Sequence, residues 1–166
     1  MSGQLKIGHY VPAYNELINI SIASQVIRDA FAVAELGHAY RFWGAHSCDL
    51  LAMRNQALDK ALSLGLDFLL MQDADVYSEA LTGPLVRLLH SALETKATVT
   101  GALVSTRTDP PRANTWPVHV GEIYEADKMG TGMVLLDLNR IREWYDEYEG
   151  PCFSRVASPP FWPMVS

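Results

Sequence analysis

The sequence is short of cysteine and of long apolar runs, and each shortage excludes a class of protein. It has two cysteines, Cys48 and Cys152, without the spacing of metal ligands. Two cysteines cannot form the framework of a disulfide-rich secreted domain, so we expect free thiols in a reducing cytosol. No apolar run reaches the roughly 18 residues of a transmembrane helix, and no signal peptide is evident. The sequence therefore predicts a soluble, cytoplasmic protein.

Positive charge is also scarce. The chain has 13 Lys and Arg against 19 Asp and Glu, which gives a formal net charge of -6 at pH 7. The basic residues are scattered rather than clustered, so a nucleic-acid-binding face is not expected. With 49% hydrophobic residues, the 166-residue chain has the composition of one globular domain with a sizeable core. An acidic protein that binds phosphates must do so locally, through a metal ion or a few arginines.

Apolar runs alternate with segments of helical periodicity along the chain. The predicted elements, in chain order, are a strand at 5–11, a helix at 17–36, a strand at 38–43, a helix from 47 or 49 to 64, a strand at 67–72, a helix at 78–96, strands at 97–104 and 132–138, and a helix at 139–150. Ser47 or Asp49 can cap the second helix, and Asn139 can cap the last one. The alternation predicts an α/β sandwich with a mostly parallel central sheet.

Two carboxylates follow the third predicted strand, in the stretch DFLLMQDADV at residues 67–76. Asp73 and Asp75 at the mouth of an apolar strand repel each other and resist desolvation, unless they stay solvated or a cation neutralises them. Hard oxygen ligands suit Mg²⁺ or Mn²⁺, and Mg²⁺ commonly combines one or two carboxylates with water and substrate phosphates. The pair therefore indicates a metal site for a diphosphate. The alternative is a polar turn, where Asp is common.

Two segments have the order and spacing of a known enzyme family. VPAYNE at residues 11–16 directly follows the first strand, and MRNQALDKALSLGLDFLLMQDADV at residues 53–76 places an Arg-Asn pair on the helix before the acidic strand. Together they resemble the nucleotide-sugar-binding half of GT-A glycosyltransferases, especially the large family 2, over about residues 6–144. The resemblance implies a GT-A fold, a Rossmann-like nucleotide-diphospho-sugar transferase sandwich.

The resemblance also implies roles for the loop after the first strand. In the family, the corresponding segment lines the nucleotide pocket. Pro12, Ala13 and Tyr14 are accordingly expected to contact the base and ribose. Glu16 is expected to secure the loop or the ribose. The family's uracil-reading aspartates have only Asp49 as a counterpart here, so the donor is left open between a UDP-sugar and a GDP-sugar.

Around the acids, the resemblance implies the metal and diphosphate contacts. Arg54 is expected to face the donor's diphosphate or sugar, and a guanidinium does match phosphate oxygens bidentately. Asn55 is expected to hold the neighbouring loop. Asp73 and Asp75 are expected to bind Mn²⁺ or Mg²⁺ and to support catalysis, with Asp75 as the principal metal ligand. Both, together with Ala74 between them, are expected to contact the donor. The implied activity is sugar transfer from the nucleotide donor to a hydroxyl of a glycan, lipid or protein.

The late part of the chain departs from the family. A Gly-rich segment with Gly130 and Gly132 is similar to one that borders the acceptor pocket in relatives, but no later acidic motif supplies a catalytic base. The remaining late acids are Asp137, Glu143, Asp146, Glu147 and Glu149. We assign residues 1–150 to the transferase-like domain and residues 151–166 to a proline-rich tail, and we expect the C-terminal acceptor portion to be short.

Two other functions fit parts of the pattern. The missing base favours a non-catalytic module that only binds nucleotide-sugars. The DADV stretch at residues 73–76 also fits haloacid-dehalogenase-type phosphatases, although their motif normally lies near the N-terminus and is followed by a lysine and an acidic pair. Apolar residues near the C-terminus, such as Trp144, Tyr145 and Trp162, indicate an interface that would suit a homo-oligomer.

Overall fold

The computed structural model describes residues 3–13, 18–46, 49–78, 83–104, 115–116, 123–126 and 128–145. Several expectations fall outside these ranges. They concern the roles of Tyr14 and Glu16, the cap at Ser47, both cysteines, and the tail at 151–166. Within the described ranges, none of the helices has the length and apolar character that crossing a membrane requires.

A five-stranded sheet forms the centre of the chain, in the spatial order β2-β1-β3-β7-β4. Its strands are β1 (Lys6–Ala13), β2 (Ala39–His46), β3 (Phe68–Gln72), β4 (Val99–Gly101) and β7 (Met133–Asp137). β1 pairs in parallel with β2 and β3, whereas β7 is antiparallel to both β3 and β4. Two short strands, β5 (Thr115–Trp116) and β6 (Lys128–Met129), pair separately. The predicted mostly parallel sheet is confirmed.

The antiparallel strand determines which residues meet the acids. Because β7 runs against β3, its first residue, Met133, pairs with the last residue of β3, Gln72. The Gly-rich segment before β7 therefore lies at the edge of the sheet where Asp73 begins. The far end of β7 pairs Asp137 with Phe68, at the opposite edge.

In the described part of the chain, four helices cover the sheet: α1 (Ile20–Glu35), α2 (Leu50–Ser63), α3 (Pro84–Thr95) and α4 (Leu138–Tyr145). The Asp49 carboxylate accepts hydrogen bonds from the backbone N–H groups of Leu51 and Ala52, so Asp49 caps α2 as predicted. The cap predicted for the last helix is wrong. Asp137 accepts from the N–H groups of Asn139 and Arg140, because a carboxylate one residue before the helix reaches these unpaired donors.

The core lies in two layers, one on each face of the sheet. On one face, α2 and α4 cover alternate strand residues such as Tyr10, Leu69 and Met71. On the other, the intervening strand residues, such as Ile7, Phe68 and Leu70, pack with side chains from α1 and α3. This alternation is the period of two that strands impose. It makes the chain a three-layer α/β sandwich.

Candidate functional site

The two acids lie in a short turn directly after β3, which we name the acidic turn (residues 73–76). The backbone N–H of Val76 donates to the carbonyl oxygen of Asp73 at 3.1 Å, which closes the turn. The N–H of Asp73 donates to the carbonyl oxygen of Gly132 at 2.8 Å. The turn is thereby joined to the Gly-rich segment before β7. Ala74 is half-buried within it, and Asp75 is exposed.

Arg54 on α2 holds the first acid. Its side chain is only 6% exposed, and Nη2 lies 2.5 Å from Oδ1 of Asp73, whose side chain is 30% exposed. The same guanidinium donates from Nη1 to the Thr131 hydroxyl at 2.5 Å and from Nη2 to the Thr131 carbonyl at 3.2 Å. Arg54 therefore ties α2, the acidic turn and the Gly-rich segment together. Its expected contact with a donor stays a prediction.

Competing electrostatic effects act on Asp73. Burial raises the pKa of its carboxyl group, the positive charge and hydrogen bond of Arg54 lower it, and the negative charge of Asp75 raises it again. A divalent cation beside both carboxylates would favour their ionised forms for the same reason that Arg54 does. The acidic turn thus combines a carboxylate oriented by a buried cation with a second, exposed carboxylate.

The acidic turn suits a cation that is coordinated by the protein and by a substrate together. Within the described ranges, no group of three or more His, Cys, Asp or Glu side chains is placed to hold a metal ion. Mg²⁺ nevertheless commonly takes only one or two carboxylates from the protein, and substrate phosphates and water supply its other ligands. The turn therefore fits Mn²⁺ or Mg²⁺ that arrives with a diphosphate better than a dedicated structural ion.

The predicted nucleotide end lies at the same edge of the sheet. Tyr10 on β1 pairs with Met71 on β3, so Pro12 and Asp73 each lie two residues beyond this pair. Next to β1, Pro12 and Ala13 pair with Ala45 and His46 of β2. A cleft of about 310 Å³ opens at this point, and it is lined by Ala13, Ile18, Gly44, Ala45 and His46.

The described part of the chain brings most of the predicted residues together. Asp73, Ala74 and Asp75 form the acidic turn, Arg54 contacts it, and Pro12 and Ala13 end the neighbouring strand. Asn55 is half-buried on α2, next to Arg54 in sequence. Asp49 is engaged in capping α2, which limits it as a counterpart of a base-reading aspartate.

Sequence reasoning missed two parts of the site. One is Thr131, since a threonine between two glycines has no distinguishing pattern. The other is a set of buried polar residues behind the acidic turn on the α1 side. A signal for this set was present. His9 lies on the same face of β1 as the buried Ile7 and Val11. On α1, Gln25 and Asp29 stand at helical spacing between the buried Ile22 and Val33.

Comparison with known proteins identifies the fold but not a family. No protein-family model matches the chain, and no curated protein does. Among solved structures, it is similar to A197 from STIV, with a TM-score of 0.59, 14% identity, and coverage of 92% of this chain and 73% of that chain. At this identity, the likeness shows a shared fold.

Other solved structures align less well. A 4-diphosphocytidyl-2C-methyl-D-erythritol synthase from Anaerococcus prevotii DSM 20548 gives a TM-score of 0.45 at 13% identity, covering 95% of this chain and 82% of that chain. A glycosyltransferase involved in glycosylation of the major capsid of PBCV-1 gives 0.38 at 13% identity, covering 91% and 70%. Neither likeness is close enough to assign an activity.

Proposed function

We propose that this chain is a metal-dependent glycosyltransferase that moves a sugar from a nucleotide-diphospho-sugar to an acceptor hydroxyl. The observation that supports it is the acidic turn at the carboxyl end of β3. There an exposed carboxylate, Asp75, follows a carboxylate, Asp73, that the buried Arg54 orients at 2.5 Å. In open α/β sheets, ligands bind beyond the carboxyl ends of the strands.

In this proposal, Asp75 and Asp73 hold Mn²⁺ or Mg²⁺, which when bound supplies positive charge to the leaving diphosphate. Arg54 keeps one oxygen of Asp73 in place, so the carboxylate needs little reorganisation when the donor binds. The ends of β1 and β2 accept the UDP or GDP part in the cleft beside Ala13 and His46. During transfer, the bond between the anomeric carbon and the diphosphate oxygen breaks. A bond to the acceptor oxygen forms, and the hydroxyl proton is released.

A second candidate, a binding module without turnover, is favoured by the position of the late acids. Asp137 lies at the edge of the sheet opposite the acidic turn and caps α4. Glu143 follows Arg142 on α4, and Arg142 binds the carbonyl oxygen of Leu66 at that same edge, before β3 begins. Neither acid is placed to serve as a base at the acidic turn, and the other three late acids lie outside the described residues.

Ligand-induced stabilisation tests the proposal directly. The wild-type chain is heated with UDP- and GDP-sugars in Mn²⁺ and in EDTA, alongside Asp75→Ala and a control, Glu94→Ala, that removes an exposed charge from α3. Binding at about 100 times Kd adds about 2.7 kcal/mol of stability. We expect Mn²⁺-dependent stabilisation in the wild type and the control, and none in Asp75→Ala.

Product analysis then separates the two candidates. Release of free nucleotide or sugar, or transfer to a panel of acceptors, supports the transferase. Stabilisation without turnover supports the binding module. The metal role is refuted if Asp75→Ala binds the donor in Mn²⁺ as the wild type does. The whole proposal fails if no UDP- or GDP-sugar stabilises the wild type.

A further inference from the structure

Four fully buried polar side chains lie behind the acidic turn on the α1 side of the sheet. His9, Gln25, Asp29 and Gln72 each have 0% exposure. Burying such groups is unfavourable unless every one of them is hydrogen-bonded, and apolar residues would fill the same space at no such cost. None of the four belongs to the predicted site. Their hydrogen bonds indicate what they do.

The orientation of the Gln72 amide follows from its partners. Its Nε2 lies 2.5 Å from the carbonyl oxygen of Val76, which can only accept a hydrogen bond. The amide oxygen must therefore face the other way, where His9 Nε2 lies at 2.9 Å and Gln25 Nε2 at 2.8 Å. Gln72 thus accepts one hydrogen bond from β1 and one from α1, and it donates one to the backbone of the acidic turn.

The same reasoning determines the state of His9. Since its Nε2 must donate to Gln72, a neutral ring has a bare Nδ1, which accepts from the Tyr40 hydroxyl at 2.7 Å. Burial lowers the pKa of His9 to about 4, so the ring is neutral at pH 7. The hydrogen bonds run in one direction, from β2 through β1 and β3 to the carbonyl of Val76.

Gln25 and Arg28 hold the backbone just after the turn. The amide oxygen of Gln25 accepts from the N–H of Ser78 at 2.7 Å, while its Nε2 also donates to Asp29 at 3.3 Å. Arg28 donates from Nη2 to the carbonyl oxygen of Ser78 at 2.9 Å. Side chains of α1 thus bind both backbone groups of Ser78.

These contacts flank the exposed acid. Asp75 lies between Asp73, held by Arg54 and Gly132, and a following stretch held by Gln72 and Gln25. The turn belongs to no helix or strand, so side chains supply the order that regular structure supplies elsewhere. Because folding already orders the ligating groups, binding of a cation and a diphosphate does not cost the entropy of ordering them.

We infer that Gln25 and Gln72 are positioning residues, which hold the acidic turn in the conformation that binds a divalent cation together with a nucleoside diphosphate. This inference rests on the proposed function. It predicts that the two amides affect cation-dependent binding although neither touches the cation. Partners that orient metal ligands typically change metal affinity by about 10- to 100-fold when they are replaced.

The test compares Gln25→Leu and Gln72→Leu with Val33→Ala, which shortens a buried side chain of the same helix, α1, away from the turn. UDP and GDP are titrated into each folded protein in Mn²⁺ and in EDTA. We expect each Leu variant to lose about tenfold of the Mn²⁺-dependent gain in nucleotide affinity, with the affinity in EDTA unchanged. Val33→Ala should keep the full gain despite its lower stability.

The outcomes distinguish the inference from the proposal beneath it. If the wild type shows no Mn²⁺-dependent gain, the proposed function fails and the inference with it. If the wild type shows the gain and the Leu variants keep it, or lose both affinities in parallel, the inference alone is overturned. Should the Leu variants not fold, Gln25→Met and Gln72→Met keep the side-chain length and remove the amide, with the same expected loss of about tenfold. An unchanged gain in both Met variants overturns the inference.

Discussion

The acidic turn is held from two sides by different chemistry. On the α2 side, the guanidinium of Arg54 binds the carboxylate of Asp73 at 2.5 Å, charge to charge. On the α1 side, the amides of Gln72 and Gln25 bind backbone groups of Val76 and Ser78. The first contact influences how readily Asp73 carries its charge, whereas the second determines where the turn lies without adding charge beside the acids.

The two kinds of contact differ in their electrostatic consequences. Neutral amides impose order without adding charge beside the acids, and Arg28 of α1 binds the Ser78 carbonyl rather than a carboxylate. The two sides should therefore respond differently to mutation. Breaking the Arg54 contact on the α2 side, which we call the charged side, leaves an uncompensated ion. Breaking the contacts on the α1 side changes the geometry of the turn and the pH dependence of stability.

The largest effect is expected from the charged side. Arg54→Met leaves the Asp73 carboxylate without its partner, which should cost about 3 kcal/mol of unfolding free energy. The cost stays below that of a fully buried ion, because the Asp73 side chain keeps 30% exposure. Urea unfolding at pH 7 measures it, and adding Asp73→Asn should recover part of the loss by removing the charge.

A matched control is the surface pair between Arg140 and Asp137, 3.6 Å apart, in which the Arg140 side chain is 43% exposed. Arg140→Ala should change the unfolding free energy by about 0.5 kcal/mol or less. Equal losses in the Arg54 and Arg140 variants would contradict a special role for the charged side.

The α1 side of the turn should show two opposed pH dependences. Burial raises the pKa of Asp29 to about 6 and lowers that of His9 to about 4. The contribution of Asp29 to the unfolding free energy is present below its usual pKa and is lost as the pH rises to 6. The contribution of His9 is present above its usual pKa and is lost as the pH falls to 4. Each slope is at most about 1.4 kcal/mol per pH unit.

Removing either Asp29 or His9 should leave the pH dependence of stability that comes from the other. For Asp29→Asn, the unfolding free energy relative to wild type should rise between pH 4 and pH 6, by about 2 kcal/mol in total. For His9→Gln, the same difference should fall over that range. Urea unfolding at pH 4, 5, 6 and 7 measures both. Stability curves parallel to the wild type would show that neither group has a shifted pKa.

An effect of similar size is expected where the α1 side of the turn meets α3. Asp29 accepts a hydrogen bond from the N–H of Leu85 at 3.3 Å, in the first turn of α3, and a methyl group at Gly83 would overlap its carboxylate. Gly83→Ala should therefore cost about 2 kcal/mol. In an Asp29→Ala background the added cost should largely disappear, which a double-mutant cycle measures.

The control for this glycine lies on the charged side. A methyl group at Gly132 would find its nearest neighbour, Val76 Cγ2, at 3.4 Å, an ordinary contact distance. Gly132→Ala should change thermal stability by about 0.5 kcal/mol or less. A loss as large as that of Gly83→Ala would mean that the clash with Asp29 is not what makes Gly83 necessary.

Much of the fold follows from local sequence. Helix α2 begins at the predicted Asp49 cap, and the apolar run before the acids is strand β3. Two details did not follow. The last helix is capped by Asp137 rather than Asn139, although the two residues are close neighbours and both types can cap a helix. The polar residues of α1 lie on its buried face because Gln72 and Ser78, which are distant in sequence, provide hydrogen-bond partners.

The α/β alternation and the two acids at the end of a buried strand follow from the amino-acid sequence alone, because periodicity and turns are properties of neighbouring residues. How the acids are held depends on the tertiary fold. The residues concerned lie far apart in the chain, with Arg54 and Thr131 separated by 77 positions and His9 and Gln72 by 63. Hydrogen bonds over such separations depend on sheet order and on the antiparallel direction of β7, which local patterns do not encode.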